Sequence, residues 1–258
     1  LSGPVRAVGV VVPAHDEQDL LPECLDSLAG SLNHVREDVR TCVCVVADRC
    51  TDATESRALA RAGRFGDFTL LSQSAATDLG TVRNLGAWRV LHALSPLAPE
   101  EIWLLHTDAD TVVPSGWVST QLRYAERGVH AVAGRAVIRR WTSTAAWARQ
   151  RYEALVADRV FAEHHHHVYG ANLGVRADVF VASGGFPAVS AGEDHALWHR
   201  LVGAGRTTLQ PNEMPVFTSS RTRGRAPGGL ATLLHELSTR DHDDPLGMTT
   251  AFGNPAGG

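Results

Sequence analysis

Alternation between apolar, β-branched runs and stretches of helical spacing dominates the first half of this chain. The runs are "AVGVVVPAHDE" (7–17), "RTCVCVVAD" (40–48), "FTLLS" (68–72) and "EIWLLHTDAD" (101–110). Between them lie "DLLPECLDSLAG" (19–30), "TDATESRALARAG" (51–63) and "GTVRNLGAWRVLHAL" (80–94). Buried strands joined one at a time by helices pack as a parallel sheet with right-handed crossovers. The pattern therefore predicts an α/β class with a Rossmann-like, mainly parallel sheet flanked by helices. Asp19 is the expected N-cap of the first helix, with Pro22 tolerated in its first turn and Gly30 ending it; Thr51 or Asp52 caps the second. After Asp110 the rhythm changes. Helices are expected over 114–127, 142–162 and 230–240, with a strand over 129–140 and further strands near 206–219. The polar, proline-containing tail 241–258 reads as flexible.

The chain has 258 residues, long enough to bury a full core. Its net charge of −4 provides no overall basic field, so nucleic acid is not an expected partner. The sequence contains no lysine, so phosphate contacts must come from arginine or backbone N–H groups. Cys24, Cys42, Cys44 and Cys50 match neither a zinc ribbon nor a redox pair. Cys42 and Cys44 alternate along an expected strand, where cysteine behaves as a small hydrophobe. There is no signal-peptide pattern, and no apolar stretch approaches the roughly 20 residues of a spanning helix. A cytoplasmic chain without a transmembrane segment is the expectation.

In open α/β sheets, ligands bind beyond the carboxyl ends of the strands. Here those ends lead into His15, Asp16 and Glu17, then Asp48, Arg49 and Asp52, then Asp108 and Asp110. Two alternating carboxylates after a buried strand suit a hard cation such as Mg²⁺ or Mn²⁺, which takes its other ligands from phosphates and water. A solvated strand end with an Asx-turn is the plainer reading. "GEDHALWHRL" (192–201) places Asp194 at or just inside a helix N-terminus, either as a cap or as a general base. "TDLGTVRNLGAW" (77–88) puts Arg83 near a helix start, where phosphate binds well, though its small residues equally suit helix packing. "HHHH" (164–167) is either a polar loop or a source of one extra metal ligand.

Together and in this order, "VVVPAHDEQDLLPECLDSL" (10–28), "VVADRCTDAT" (45–54), "GTVRNLGAW" (80–88), "TDADTVVPSGW" (107–117), "GANLGVRADVFVASGGFP" (170–187) and "GEDHAL" (192–197) resemble the family 2 glycosyltransferases of GT-A fold. The resemblance implies a nucleotide-sugar-binding half over residues 1–112 and an acceptor-binding half of the same domain over 113–240. It implies a nucleotide-diphosphate sugar as donor, contacted by Pro13, His15, Glu17, Asp48, Arg83 and Asp108. It assigns Asp110, with Asp108, to a divalent cation (Mn²⁺ or Mg²⁺), Asp194 to the catalytic base, and Gly170, Asn172 and Glu193 to the side of a hydroxyl acceptor. A hexosyltransferase working by a single inverting displacement follows, and a small or soluble acceptor fits a chain without spanning helices.

Two stretches depart from the family pattern. "ADRCTD" (47–52) replaces the commoner acidic pair followed by serine, which brings Arg49 to bear on base preference. "SSRTRGRAPGG" (219–229) stands where many relatives carry a Gln-x-x-Arg-Trp-type segment. It offers Arg221, Arg223 and Arg225 either to an anionic group or to solvent. The rival readings are a retaining GT-A glycosyltransferase, a sugar-phosphate nucleotidyltransferase and a non-catalytic nucleotide-binding module. The acidic "PAHDEQD" (13–19), where a triphosphate would need a basic glycine-rich loop, counts against the nucleotidyltransferase.

Overall fold

A computed structural model describes residues 4–75, 77–141, 146–221 and 230–239. Strands β1 (Ala7–Ala14), β2 (Arg40–Asp48), β3 (Phe68–Gln73) and β4 (Ile102–His106) run parallel in the order β3-β2-β1-β4. Helices α1 (Leu21–Leu32), α2 (Thr54–Leu59) and α3 (Leu79–Ala93) lie in the connections between them. The strand order reverses between β1 and β4, so the connections leaving their carboxyl ends part and open a crevice.

The same sheet continues into the later sequence. Strand β5 (Ala131–Ala133) lies antiparallel to β7 (Leu173–Arg176), which is itself antiparallel to β4, and β8 (Thr208–Leu209) closes the edge. A separate two-stranded sheet pairs β6 (Ala136–Arg140) with β9 (Val216–Ser219). Helices α4 (Trp117–Glu126), α5 (Ala146–Ala157), α6 (Ala177–Ala182), α7 (Glu193–Gly203) and α8 (Leu230–Thr239) complete the described elements. Among the described residues no helix is long and apolar enough to cross a membrane.

Alternation along β1 divides the core. Val8, Val10 and Val12 pack with α1 and α4, whereas Ala7 and Val11 pack with α3, α6 and α7 on the opposite face. A strand covered on both faces needs a continuous apolar run, which is what β1 and β2 carry. A smaller cluster of Ile138, Ala148, Tyr152, Leu234 and Leu237 joins α5 and α8 to β6. All four cysteines are free, and burial raises the Cys42 and Cys44 thiols to about 12.

Several boundaries differ from the sequence reading, each for a local reason. The strand expected over 101–110 stops at His106, and the aspartates sit in a turn closed by the Thr111 N–H donating to the Asp108 carbonyl at 3.0 Å. The strand expected over 129–140 is two strands in different sheets, separated at Gly134, where the Asn172 amide fills the space a side chain would need. Asp19 does not cap α1; the Leu21 N–H bonds instead to the Glu17 carbonyl at 2.9 Å. The helix expected over 51–63 is α2 plus a 3₁₀ turn at Ala62–Arg64, with Asp52 accepting from the Thr54 N–H at 2.9 Å. Of the helix expected over 142–162, α5 spans Ala146–Ala157. Arg223, Arg225 and the tail 241–258 lie outside the described residues.

Helix α3 reaches the crevice because it lies unusually close to the sheet. A Cβ on Gly86 would overlap Val11 Cγ1 and stand 3.0 Å from Val46 Cγ2, both on strand residues with stiff χ1. Gly86→Ala should therefore destabilise the fold by about 1–3 kcal/mol through overpacking. Urea unfolding followed by circular dichroism measures the effect, which should appear as a lowered midpoint at unchanged slope.

Candidate active site

The crevice is organised by one buried guanidinium. Asp78 caps α3 by accepting from the Thr81 N–H at 2.8 Å, and the helix then carries Arg83 inward until its side chain is 2% exposed. Arg83 Nη2 donates to Asp108 Oδ1 at 2.6 Å, Nε to Glu193 Oε1 at 3.3 Å, and Nη1 to the Gly170 carbonyl at 3.2 Å. A Cβ on Gly170 would lie 2.5 Å from Arg83 Nη2, so this position needs glycine. Burial alone would ease Arg83 toward losing its proton, but the charges of Asp108, Glu193 and Asp194 outweigh it and hold the group firmly charged. Burial also raises the Glu193 carboxyl above its usual range, against the pull of Arg83.

A second guanidinium closes the other side. Arg221 Nη1 donates to Glu17 Oε1 at 2.6 Å, and Nη2 approaches Asp110 Oδ2 at 3.3 Å. Ser219 donates its hydroxyl to Asp110 Oδ2 at 2.6 Å, and Thr218 lies 3.4 Å from Oδ1. Asp110 thus sits among oxygen donors with its charge compensated by a cation. Hard oxygen ligands beside a carboxylate are what Mn²⁺ or Mg²⁺ requires, so these residues fit such an ion. Arg221 and the ion would compete for Asp110.

Asp194 occupies the first turn of α7 rather than its cap, which is Gly192 at φ +75°. Its Oδ2 accepts from the Gly170 N–H at 2.7 Å and its Oδ1 from the His195 N–H at 2.7 Å. Each oxygen keeps a second lone pair, so the carboxylate is oriented yet still able to accept a proton. Gly170 therefore joins the two parts of the site, its carbonyl on Arg83 and its N–H on Asp194.

The remaining expected residues fall into three groups. Glu17 and Asp108 belong to the ion-paired cluster, and Glu193 stands behind it as a partner of Arg83. At the mouth of β1 and β2, Pro13 pairs in register with Val46, His15 Nδ1 meets the Asp48 carbonyl, and the Asp48 carboxylate is clasped bidentately by Arg49 at 2.9 and 3.1 Å. Asn172 is fully buried and engaged by protein: it accepts from Trp117 Nε1 at 2.8 Å and donates to the carbonyls of Arg135 and Met214. Its work is to hold the 3₁₀ turn Gly170–Asn172, α4 and the second sheet together.

The histidine run does not join the aspartates. His165 and His167 are buried while His164 and His166 are exposed, and the His165 ring accepts from the His167 N–H at 3.1 Å. Among the described residues the group with mutual ligand spacing is Asp16, Cys50 and Asp52. Its Asp16 carboxylate already accepts from the Thr51 and Asp52 N–H groups, so it reads as a clasp on the loop after β2. Thr218, Ser219 and the position of Arg221 were not singled out as partners of Asp110 from sequence, because nothing in local spacing links residues 108 positions apart.

Comparison with known families now adds to the geometry. The family model described as Glycosyl transferase family 2 matches residues 9–183. The chain belongs to that family. Its fold is GT-A, and the solved structures agree. A mannosyltransferase from Pyrobaculum calidifontis, in complex with GDP-Man and Mn²⁺, is 21% identical at a TM-score of 0.63 over 86% of this chain and 59% of that one. S. aureus TarS with UDP-GlcNAc is 13% identical at 0.62, over 85% and 60%. GalNAc-T7 with UDP, GalNAc and Mn²⁺ is 12% identical at 0.62, over 90% and 48%. This chain thus spans about three-fifths or less of the length of each. Comparison with curated protein sequences gives no match.

Two outcomes follow from the burial of these groups. Arg83→Met leaves Glu193 and Asp108 facing each other without their shared cation, and should cost about 3–5 kcal/mol of stability, read by denaturant unfolding. His106, in β4, is fully buried between Phe180 and Phe186, and neither ring nitrogen has a hydrogen-bond partner among the described residues. Burial, and secondarily Arg83, hold it neutral well below its ordinary 6.5. The unfolded chain takes up that proton first, so this contribution to stability is complete above pH 6.5 and falls as the pH drops below it. His106→Phe should flatten the acid-side decline in melting temperature measured across that range.

Proposed function

We propose that this protein transfers a sugar from a nucleotide-diphosphate sugar to an acceptor hydroxyl by a single, inverting displacement. The observation that carries the proposal is the continuous link from Asp108, in the same turn as Asp110, through Arg83 and Gly170 to Asp194. It brings a diphosphate-charge site and an oriented carboxylate to one crevice at the strand-order switch. Structural relatives crystallised with GDP-Man, UDP-GlcNAc and UDP support a nucleotide sugar as the donor class, and hexosyl transfer is the subtype proposed.

In this reading the nucleoside lies over the mouth of β1 and β2, near Pro13, His15, Glu17 and Asp48. A divalent cation held by Asp110, with Asp108 beside it, would supply Lewis-acid compensation of the diphosphate charge. Arg83 keeps Asp108 from turning away and fixes the Gly170 peptide. Arg221, released from Asp110 when that compensation comes from elsewhere, is a long, permanently charged donor at the edge of the diphosphate position. Asp194 takes the proton of the acceptor hydroxyl as its oxygen attacks the anomeric carbon, and the bond to the diphosphate oxygen breaks. A base on the acceptor side and a leaving group on the opposite side invert the anomeric centre. The protein works beside the nucleotide of a soluble donor, and the cytoplasm is its proposed compartment.

Calorimetric titration of UDP and GDP, each with and without Mn²⁺, into wild type, Asp110→Asn and Asp194→Asn tests the assignment. One nucleotide should bind wild type with Mn²⁺ dependence, and Asp110→Asn should abolish that dependence. Asp194→Asn should bind the nucleotide as wild type does while donor turnover falls by about 10²–10⁴-fold. Binding of neither nucleotide under any condition would show that the chain shares the family's fold without its donor site.

A further inference from the structure

A separate cavity lies on the small sheet rather than at the strand-order switch. It measures about 330 Å³ and is walled by β6 and α5, with Trp141 and Tyr152 as its aromatic surfaces and Arg135 at one side. The two rings meet edge to face, with centroids 5.6 Å apart. A chain of contacts leads from the cavity toward Asp194: His167 Nε2 lies 3.0 Å from the carbonyl of Val156 in the cavity wall, the His167 ring stacks on Tyr169 at 5.5 Å, and Gly170, the next residue, donates its N–H to Asp194 Oδ2.

Arg135 differs from the arginines of the crevice. Its backbone carbonyl accepts from Asn172 Nδ2 at 3.0 Å and from the Val216 N–H at 2.9 Å, which pins the residue. The residue is half-buried, and its guanidinium has no carboxylate or hydrogen-bond partner among the described residues, whereas Arg83, Arg176 and Arg221 all have one or more. The rings of His165, His167 and Tyr169 follow one another with centroids 5.9 and 5.5 Å apart. The two histidines are held toward their neutral forms by burial, so they bring no neutralising charge. Glu153 is the acidic residue in the cavity wall, and it is committed to Arg149 at 2.8 Å. A half-buried arginine in a cavity wall, without an ion-pair partner among the described residues, is open to a phosphate or carboxylate from a ligand.

We infer that this cavity is an acceptor subsite for a molecule bearing an anionic group, phosphate or carboxylate, which Arg135 binds while an apolar or ring portion lies against Trp141 and Tyr152. The inference takes its description as an acceptor subsite from the transferase reading, but anion binding at Arg135 stands apart from it. The anion fixes one end of the acceptor, and its hydroxyl then falls on the Asp194 side of Tyr169. Arg135 acts here as a specificity-determining residue.

The test uses phenyl phosphate and benzoate as the two anionic probes, with phenol as the neutral control. Each is titrated into wild type, Arg135→Gln and Arg135→Lys, and followed by tryptophan fluorescence and calorimetry. The better anion should bind wild type and weaken about tenfold or more in Arg135→Gln, be largely retained in Arg135→Lys, and exceed phenol. Whether phenyl phosphate or benzoate binds more tightly distinguishes the two anion types. Equal affinity in wild type and Arg135→Gln, or equal binding of phenol, overturns the inference. Should Arg135→Gln fail to fold, Trp141→Ala carries the test: it should weaken phenyl phosphate while leaving inorganic phosphate unaffected, and no change overturns the inference. Nucleotide titration of the same variants separates the two proposals. UDP or GDP binding without Arg135-dependent anion binding removes the subsite alone, and the converse removes the donor reading alone.

Discussion

The buried guanidinium of Arg83 is the interaction on which the rest of the site depends. Its three contacts reach three separate pieces of chain: the turn after β4 through Asp108, the start of α7 through Glu193, and the turn before β7 through Gly170. Taking such a charge out of water is costly, and replacing a buried ion pair by apolar residues is often no less stable. What the arrangement provides is position. An arginine fork admits only a few geometries for its acceptors, so satisfying it sets where Asp108 and the Gly170 peptide lie. Because the Gly170 N–H holds Asp194, the orientation of the proposed base is set by the same residue.

A second pattern runs alongside the first. Arg83 and Arg221 divide the cluster, one taking Asp108 and Glu193, the other Glu17 and Asp110. In a chain without lysine, both compensating groups are planar forks rather than flexible point charges. Arg83 is enclosed, while Arg221 is 31% exposed along its side chain. The difference suits one to permanent structure and the other to exchange with a ligand's charge. Arg135, whose guanidinium has no ion-pair partner among the described residues, is a third use of the same side chain.

Much of the framework was legible from local pattern. The four parallel strands, their helices and the collection of acidic residues at one sheet edge all follow from short-range periodicity and from the rule that crossovers are right-handed. Errors fell at boundaries, where long-range contacts decide. Whether 129–140 is one strand or two depends on Asn172 pressing on Gly134, and where β4 stops depends on the turn that carries Asp108. Four identical neighbours carry no pattern, so the burial of alternate members of the histidine run comes from the bridges from Val160 to His165 and from His164 to Pro211.

The sequence by itself determined the α/β class, the family, and the identity of the carboxylates at the crevice, because these depend on residue type and near-neighbour spacing. Only the tertiary structure decided which cation answers which carboxylate. Arg83 meets Glu193 across 110 positions and Arg221 meets Glu17 across 204. No periodicity spans such separations, and with 24 arginines in the chain composition cannot choose among them. The choice is made by packing: α3 lies close enough to the sheet, through Gly86, to bring Arg83 to the one place where a peptide and two carboxylates converge.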